Sequence, residues 1–153
     1  MLEKNFWSAV KKNLPPKSFP TRIENRHGGG VPDVHVVWDC LPFWVELKVS
    51  KGKGVNLSPQ QIAWNTAYSR CGGVSFILVK GTRSGDLFLF EGSRAAEIGE
   101  IGLAASPLYR GRDWTELWDR VRDSWFGDRG SRVGAIGSGV QAQDSPVQGV
   151  SMN

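Results

Sequence analysis

Asp33, Glu46 and Lys48 are ionisable residues in two apolar segments, residues 33–38 and 43–49, whose other side chains are suited to a core. Two carboxylates can hold Mg²⁺, which takes oxygen ligands and keeps several waters. Such an ion polarises a phosphoryl oxygen and lowers the pKa of a bound water. A neighbouring lysine can orient the attacking water or neutralise charge that develops on the phosphate. These residue types indicate metal-dependent phosphodiester hydrolysis; the alternative is an ion-pair cluster on a half-exposed sheet.

The two segments must place these side chains together. Both are rich in Val, Phe and Trp, which predicts two β-strands. Residues 39–42 between them are expected to form a four-residue hairpin loop, with Asp33 opposite Lys48 and His35 opposite Glu46. Because side chains alternate faces along a strand, both carboxylates and the lysine emerge on one side of the sheet.

Gln61 follows a helix start signal and has two interpretations. Ser58 is a suitable N-cap, Pro59 suits the first helical position, and Gln61 can close a capping box. The same glutamine could instead reach back to the carboxylates, and the two roles are compatible. A helical apolar stripe is predicted behind it: Ala63, Trp64, Ala67, Tyr68 and Cys71.

Charge is concentrated in the half of the chain that carries the acidic residues. The 153 residues have a formal net charge of +4, and residues 1–80 contain 11 Lys and Arg against 5 Asp and Glu. A basic surface of this kind suits nucleic acid, although many proteins with a similar charge never bind DNA. Five basic residues are the candidates for DNA contact: Arg22, Arg26, Lys51, Lys53 and Arg70.

The composition predicts one α/β domain over residues 1–126 and a flexible tail over residues 127–153, which lack aromatic residues and Leu. A helix over residues 2–13 and a Trp-rich helix after Asp113 are expected around the strands. The Trp-rich stripe predicts core packing, or alternatively a homodimer surface. Two cysteines, expected to be packed thiols, and the absence of a secretion signal or a long apolar run favour a cytoplasmic protein without a membrane segment.

Four motifs in order give the chain a resemblance to a known family. Arg22-Ile23-Glu24-Asn25 is followed by Gly28-Gly29-Gly30-Val31-Pro32-Asp33, then Glu46-Leu47-Lys48, then Leu57-Ser58-Pro59-Gln60-Gln61. This order resembles the PD-(D/E)xK nuclease superfamily, and more narrowly the small stand-alone VRR-NUC enzymes of phages and bacteria. The resemblance covers residues 6 to about 91. It implies a mixed sheet flanked by helices, a restriction-endonuclease-like core.

The resemblance also implies roles for individual residues. Asp33, Glu46 and Lys48 would be catalytic, with Mg²⁺ or Mn²⁺ held by the two carboxylates, and Gln61 would reach toward them. The family usually has a further acidic group; Glu24 is preferred here over Glu3, because it lies in the segment expected to form the first strand.

A metal-dependent DNA endonuclease is therefore expected. The resemblance favours branched DNA such as Holliday junctions, which a homodimer could cut on two strands. A sequence-specific homing or restriction-type endonuclease would show the same residues. A noncatalytic DNA-binding protein on the same fold is a further alternative, against which the intact Asp33, Glu46 and Lys48 argue.

Overall fold

The computed structural model describes residues 2–24 and 28–140, with side chains described as far as residue 127. The chain separates into two compact units, with the boundary after Val121. All described candidate residues belong to the first unit. The second unit comprises residues 122–153 and is described as far as residue 140.

A six-stranded mixed sheet and four α-helices make up the described residues, which confirms the predicted α/β class. The helices are α1 (Glu3–Lys12), α2 (Pro59–Arg70), α3 (Ala95–Ile101) and α4 (Trp114–Val140). The strands are β1 (Ser18–Arg22), β2 (Val34–Trp38), β3 (Leu41–Ser50), β4 (Ser75–Gly81), β5 (Leu87–Glu91) and β6 (Tyr109–Gly111). They lie side by side in chain order, and β3 and β4 are parallel while every other neighbouring pair is antiparallel.

The sheet is buried on both faces because its central strands are apolar at nearly every position. Ile77 and Val79 of β4 face one apolar cluster, to which Ile98 of α3 and Ile62 of α2 contribute. The alternate residues of β4 and β5 point to the other face. The buried residues outside the first cluster include Phe6 and Val10 of α1 and Leu117, Trp118 and Val121 of α4. The indole Nε1 of Trp118 donates a hydrogen bond to the carbonyl oxygen of Asn13 at 2.7 Å, which ties these two helices together.

The connection between β2 and β3 differs from the predicted four-residue loop. Trp38 pairs directly with Leu41, so the turn contains only Asp39 and Cys40, with φ of 51° and 62°. Two successive positive φ angles are typical of a type I′ turn, whose twist matches that of the strands. Pro42 falls inside β3, where it is tolerated because β4 pairs with β3 only from Trp44 onward.

The predicted pairing is consequently wrong by two residues. His35 lies opposite Trp44 rather than Glu46, and their ring centroids are 4.8 Å apart. A shift of two residues leaves every side chain on its predicted face, because the strand repeat is also two. The predicted grouping of Asp33, Glu46 and Lys48 on one face therefore survives the error.

α4 extends beyond the predicted domain boundary. Its 27 residues run from Trp114 to Val140 and so include part of the segment for which a flexible tail was predicted. Residues 141–153 lie outside the described residues. The buried Leu117, Trp118 and Val121 confirm the core-packing interpretation of the Trp-rich stripe for these positions. Cys40 and Cys71 are exposed free thiols, not packed ones. No helix in the described part of the chain is long and apolar enough to cross a membrane.

Candidate active site

Asp33 and Glu46 face each other across two antiparallel strands. Val34 pairs with Val45, so the same register continued by one residue sets Asp33 opposite Glu46, not opposite Lys48 as predicted. Asp33 is held by its own hydrogen bonds at this position. Its Oδ2 accepts one from the backbone N–H of Leu47 at 2.8 Å, and its carbonyl oxygen accepts one from Ile23 at 2.7 Å.

Glu46 is the buried carboxylate of the site. Only 1% of its surface is exposed, and its Oε2 accepts no hydrogen bond from any described residue. Lys48, two residues further along β3, places its Nζ 3.8 Å from the Glu46 Oε1. The lysine side chain is 13% exposed, so it is partly open to solvent whereas Glu46 is not.

Gln61 fulfils both of the roles considered for it. Its backbone N–H donates to the Ser58 hydroxyl at 3.1 Å, and its Oε1 accepts from the Ser58 N–H at 2.9 Å, which completes a capping box. Its Nε2 donates to the Glu46 Oε1 at 2.6 Å. The glutamine side chain therefore joins the start of α2 to the acidic centre, using its two amide ends for different partners.

The position of α2 depends on a polar pair that the sequence pattern does not reveal. Asn65 is fully buried; its Nδ2 donates to the Gln61 carbonyl oxygen and its Oδ1 accepts from Ser75 of β4, each at 2.8 Å. The predicted apolar stripe is wrong in detail, because Ala63, Ala67 and Cys71 are exposed. A buried asparagine is tolerated because both ends of its amide are hydrogen-bonded. It fixes the helix turn that carries Gln61 against the sheet.

The environment of Glu46 raises its pKa from the ordinary 4.5 to about 8. Burial is the largest cause, since it penalises the charged form, and the nearby Asp33 carboxylate adds repulsion. Lys48 opposes the rise only in part. Glu46 consequently holds a proton near neutral pH unless another positive charge takes its place.

Glu3 and Glu24, the two candidates for a further acidic group, are both exposed and differ in their effect on Glu46. The charge of Glu3, in the first turn of α1, contributes to the raised pKa of Glu46, whereas Glu24 is not among the contributing groups. The preference for Glu24 assumed that it belonged to the first strand. That strand ends at Arg22, and Glu24 is an exposed residue beyond it.

Comparison with known proteins gives no family assignment. No protein-family model matches the chain, and no curated protein matches it in sequence.

A small cleft opens beside Asp33. It has a volume of about 190 Å³ and is lined by Asp33, Gly28, Gly30, Ser58 and Gln61, among others. Gly30 has φ of +72°, and a Cβ there would lie 2.0 Å from the carbonyl oxygen of Gln60. Glycine is required because the turn before β2 passes directly against the start of α2. The cleft therefore joins the acidic centre to a helix N-terminus, where backbone N–H groups favour anions.

Asp33 and Glu46 are the two carboxylates of the acidic centre that could act as ligands of a hard divalent cation. Among the described residues, no group of three or more His, Cys, Asp or Glu side chains is arranged to hold a metal ion. Mg²⁺ nevertheless needs only one or two carboxylates, because water and substrate phosphates supply its other ligands. The Glu46 Oε2 is a buried carboxylate oxygen without a hydrogen bond, which suits such a ligand role.

The predicted DNA contacts are spread over several parts of the unit. Arg22 is the last residue of β1 and pairs with Val34 of β2, the residue that follows Asp33. Its guanidinium carbon lies 5.8 Å from the centroid of the Trp7 ring. Lys51 and Lys53 are exposed just past the end of β3. Arg70 ends α2, nine residues from Gln61 and so about 14 Å along the helix, away from the acidic centre. Arg26 lies outside the described residues.

Proposed function

We propose that this chain is a Mg²⁺-dependent DNA endonuclease that hydrolyses phosphodiester bonds, with branched DNA as its preferred substrate. The observation that carries the proposal is the assembly of Asp33, Lys48 and Gln61 around the buried carboxyl group of Glu46, whose pKa is about 8. Such a carboxylate is poorly stabilised by the protein alone. A site that raises a pKa this far by burial and a like charge is a recognised sign of function.

Asp33 and Glu46 would hold Mg²⁺ or Mn²⁺, which when bound supplies polarisation of a phosphoryl oxygen and a more acidic water. The chain's own residues prepare the site for it. The Leu47 N–H orients Asp33, and the Gln61 amide orients Glu46 through a 2.6 Å hydrogen bond. Both carboxylates are therefore held in place before a ligand arrives.

Lys48 supplies the positive charge that the chemistry needs at the edge of the site. Its Nζ is close to Glu46 and partly open to solvent. From there it can orient an attacking water or neutralise charge that develops on the phosphoryl oxygens. The N-terminus of α2 beside the cleft adds a second favourable field for a phosphate.

The preference for branched DNA depends on the sequence resemblance, and a possible homodimer on the resemblance and the Trp-rich stripe. A cytoplasmic location depends on the composition and the lack of a secretion signal in the sequence. A sequence-specific enzyme would use the same acidic centre. Substrate choice therefore has to be measured.

The test is cleavage of a four-way junction, a fork, a flap, a linear duplex and a single strand, each with Mg²⁺, Mn²⁺ or EDTA. Glu46→Gln and Asp33→Asn should abolish metal-dependent cutting, because each removes a carboxylate ligand. Glu100→Gln, at an exposed position of α3, is the matched control and should cut normally. Cutting that persists in both site variants would refute the assignment. Equal cutting of all duplex forms would remove the preference for branched DNA.

A further inference from the structure

A second, basic cavity lies at the carboxyl ends of the parallel strands β3 and β4. It has a volume of about 380 Å³, and Lys53, Arg83 and Arg110 line it together with Gly52, Gly81 and Phe88. Arg83 and Arg110 were not among the residues predicted to contact DNA. The cavity is separate from the cleft beside Asp33.

The walls of this cavity carry more positive than negative charge. Within the part of the chain that the structure describes, no acidic side chain forms an ion pair with Lys53 or Arg83. Arg110 shares the Asp86 carboxylate with Arg112, at 3.1 and 3.2 Å. One carboxylate thus serves two guanidinium groups, and an anion in the cavity would meet uncompensated charge.

The backbone around the cavity is held in place. The Ser50 hydroxyl lies 3.0 and 2.6 Å from the carbonyl oxygens of Gly52 and Gly54, and the Lys53 carbonyl oxygen accepts a hydrogen bond from Leu103 at 2.8 Å. A Cβ at Gly102 would lie 2.1 Å from that Lys53 oxygen. The segment after β3 is therefore anchored at several points, and its lysines project from a fixed support.

The cavity and the acidic centre share one face of the sheet. Glu46 pairs with Ile77, and four residues further on Ser50 pairs with Gly81, which lines the cavity. Four residues of strand correspond to about 13 Å. Buried apolar side chains, among them Val55, Leu57 and Val79, fill the sheet face between the two places, so a DNA strand that contacts both passes outside this cluster. At one phosphate for about every 3.4 Å, such a strand spans at least about four phosphates.

We propose that this cavity binds a phosphate of the same DNA strand that is cut, at least about four nucleotides from the phosphate at Glu46. The proposal rests on the nuclease function proposed above and adds to it a contact that sets how the strand lies across the protein. Lys53 and Arg83 supply the charge, and the glycines at 52 and 81 leave room for the strand to approach.

The experiment measures DNA binding without cleavage, with Ca²⁺ replacing Mg²⁺, on the best-cut substrate of the cleavage panel, or on the four-way junction if none is cut. The test variant is Lys53→Gln/Arg83→Gln. Lys12→Gln/Arg120→Gln, at exposed positions of α1 and α4, is the control with the same change in charge. Affinity is measured over a range of salt concentrations, and circular dichroism checks that each variant is folded.

The test variant should bind more weakly and lower the slope of log affinity against log salt by roughly one to two, while the control leaves it unchanged. Neutral methylphosphonate linkages placed singly along the strand should weaken wild-type binding at one position near the cut, and have no effect there in the test variant. An unchanged slope in a variant of a protein that still cuts DNA would overturn this inference and leave the nuclease proposal standing.

Two other results would also overturn it. If inorganic phosphate binds the cavity residues at millimolar concentration while the test variant binds DNA as tightly as wild type, the cavity is a site for small anions. A wild-type protein that binds none of the DNA forms would overturn both proposals together.

Discussion

Replacing Glu46 by glutamine should make the metal-free protein more stable at alkaline pH while it removes the proposed activity. Glutamine has nearly the same shape, and its oxygen can still accept the Gln61 hydrogen bond. The substitution removes the charge that burial and Asp33 oppose, and it replaces one carboxylate oxygen by an amide NH2 group. Glu46 would thus be required for catalysis although its charge lowers the stability of the metal-free protein.

The magnitude follows from the pKa of Glu46, which is raised from 4.5 to about 8. The folded state therefore holds a proton that the unfolded state releases, and stability must fall as pH rises between these values. At about 1.4 kcal/mol per pKa unit the full effect is about 5 kcal/mol, of which about 3–4 kcal/mol develops between pH 5 and pH 8. The attraction of Lys48 is already included in the raised pKa.

The assay is urea unfolding in EDTA at pH 5 and pH 8 for wild type, Glu46→Gln and the exposed control Glu100→Gln. Wild type and the control should lose about 3–4 kcal/mol more than Glu46→Gln over this range. Adding Mg²⁺ at pH 8 should restore stability to wild type and not to Glu46→Gln, because a ligand stabilises only the state that binds it. Parallel pH dependences in all three proteins would refute the reasoning.

Two further substitutions test the surroundings of the site. Gly30→Ala should destabilise the protein by at least about 2–3 kcal/mol in urea unfolding, because a side chain would require an unfavourable φ and collide with the start of α2; Gly28→Ala, whose Cβ would meet no atom within 4 Å, separates the collision from the backbone effect. Glu3→Gln should lower the pKa of Glu46 and move the pH dependence of stability toward lower pH, whereas Glu24→Gln should not. Equal shifts in the two variants would contradict a specific effect of the Glu3 charge on Glu46.

Local patterns predicted the strands, the capping box and the shared face of the three ionisable residues. The pairing of β2 with β3 was missed because Asp39 and Cys40 take positive φ angles without the Gly or Asn that usually marks such a turn. The error of two residues left the three side chains on the predicted face, because the side-chain repeat of a strand is also two residues. Had the loop differed by one residue, Asp33 would have faced the opposite side.

Contacts between distant elements could not be read in the same way. Nothing local links Glu3 of α1 to Glu46, and the apolar period of α2 favours its exposed alanines over the buried Asn65. Asn65 is buried because Ser75 lies within hydrogen-bonding distance on a strand formed by a later segment. Such hydrogen-bonded pairs cannot be predicted from local sequence patterns, because they form only when the helix packs against the sheet.

The one parallel strand pair has a consequence for folding. All other neighbouring strands are antiparallel, whereas β3 and β4 are joined by the crossover through α2, residues 51–74. Closing such a connection costs chain entropy before its contacts form, so it is a slow step compared with hairpins. Glu46 and Gln61 lie on the two sides of this crossover. A chain with only its antiparallel runs formed already sets Asp33 opposite Glu46 on the β2–β3 hairpin, but it lacks the hydrogen bond from Gln61. The crossover therefore completes the surroundings of an acidic pair that the hairpin has brought together.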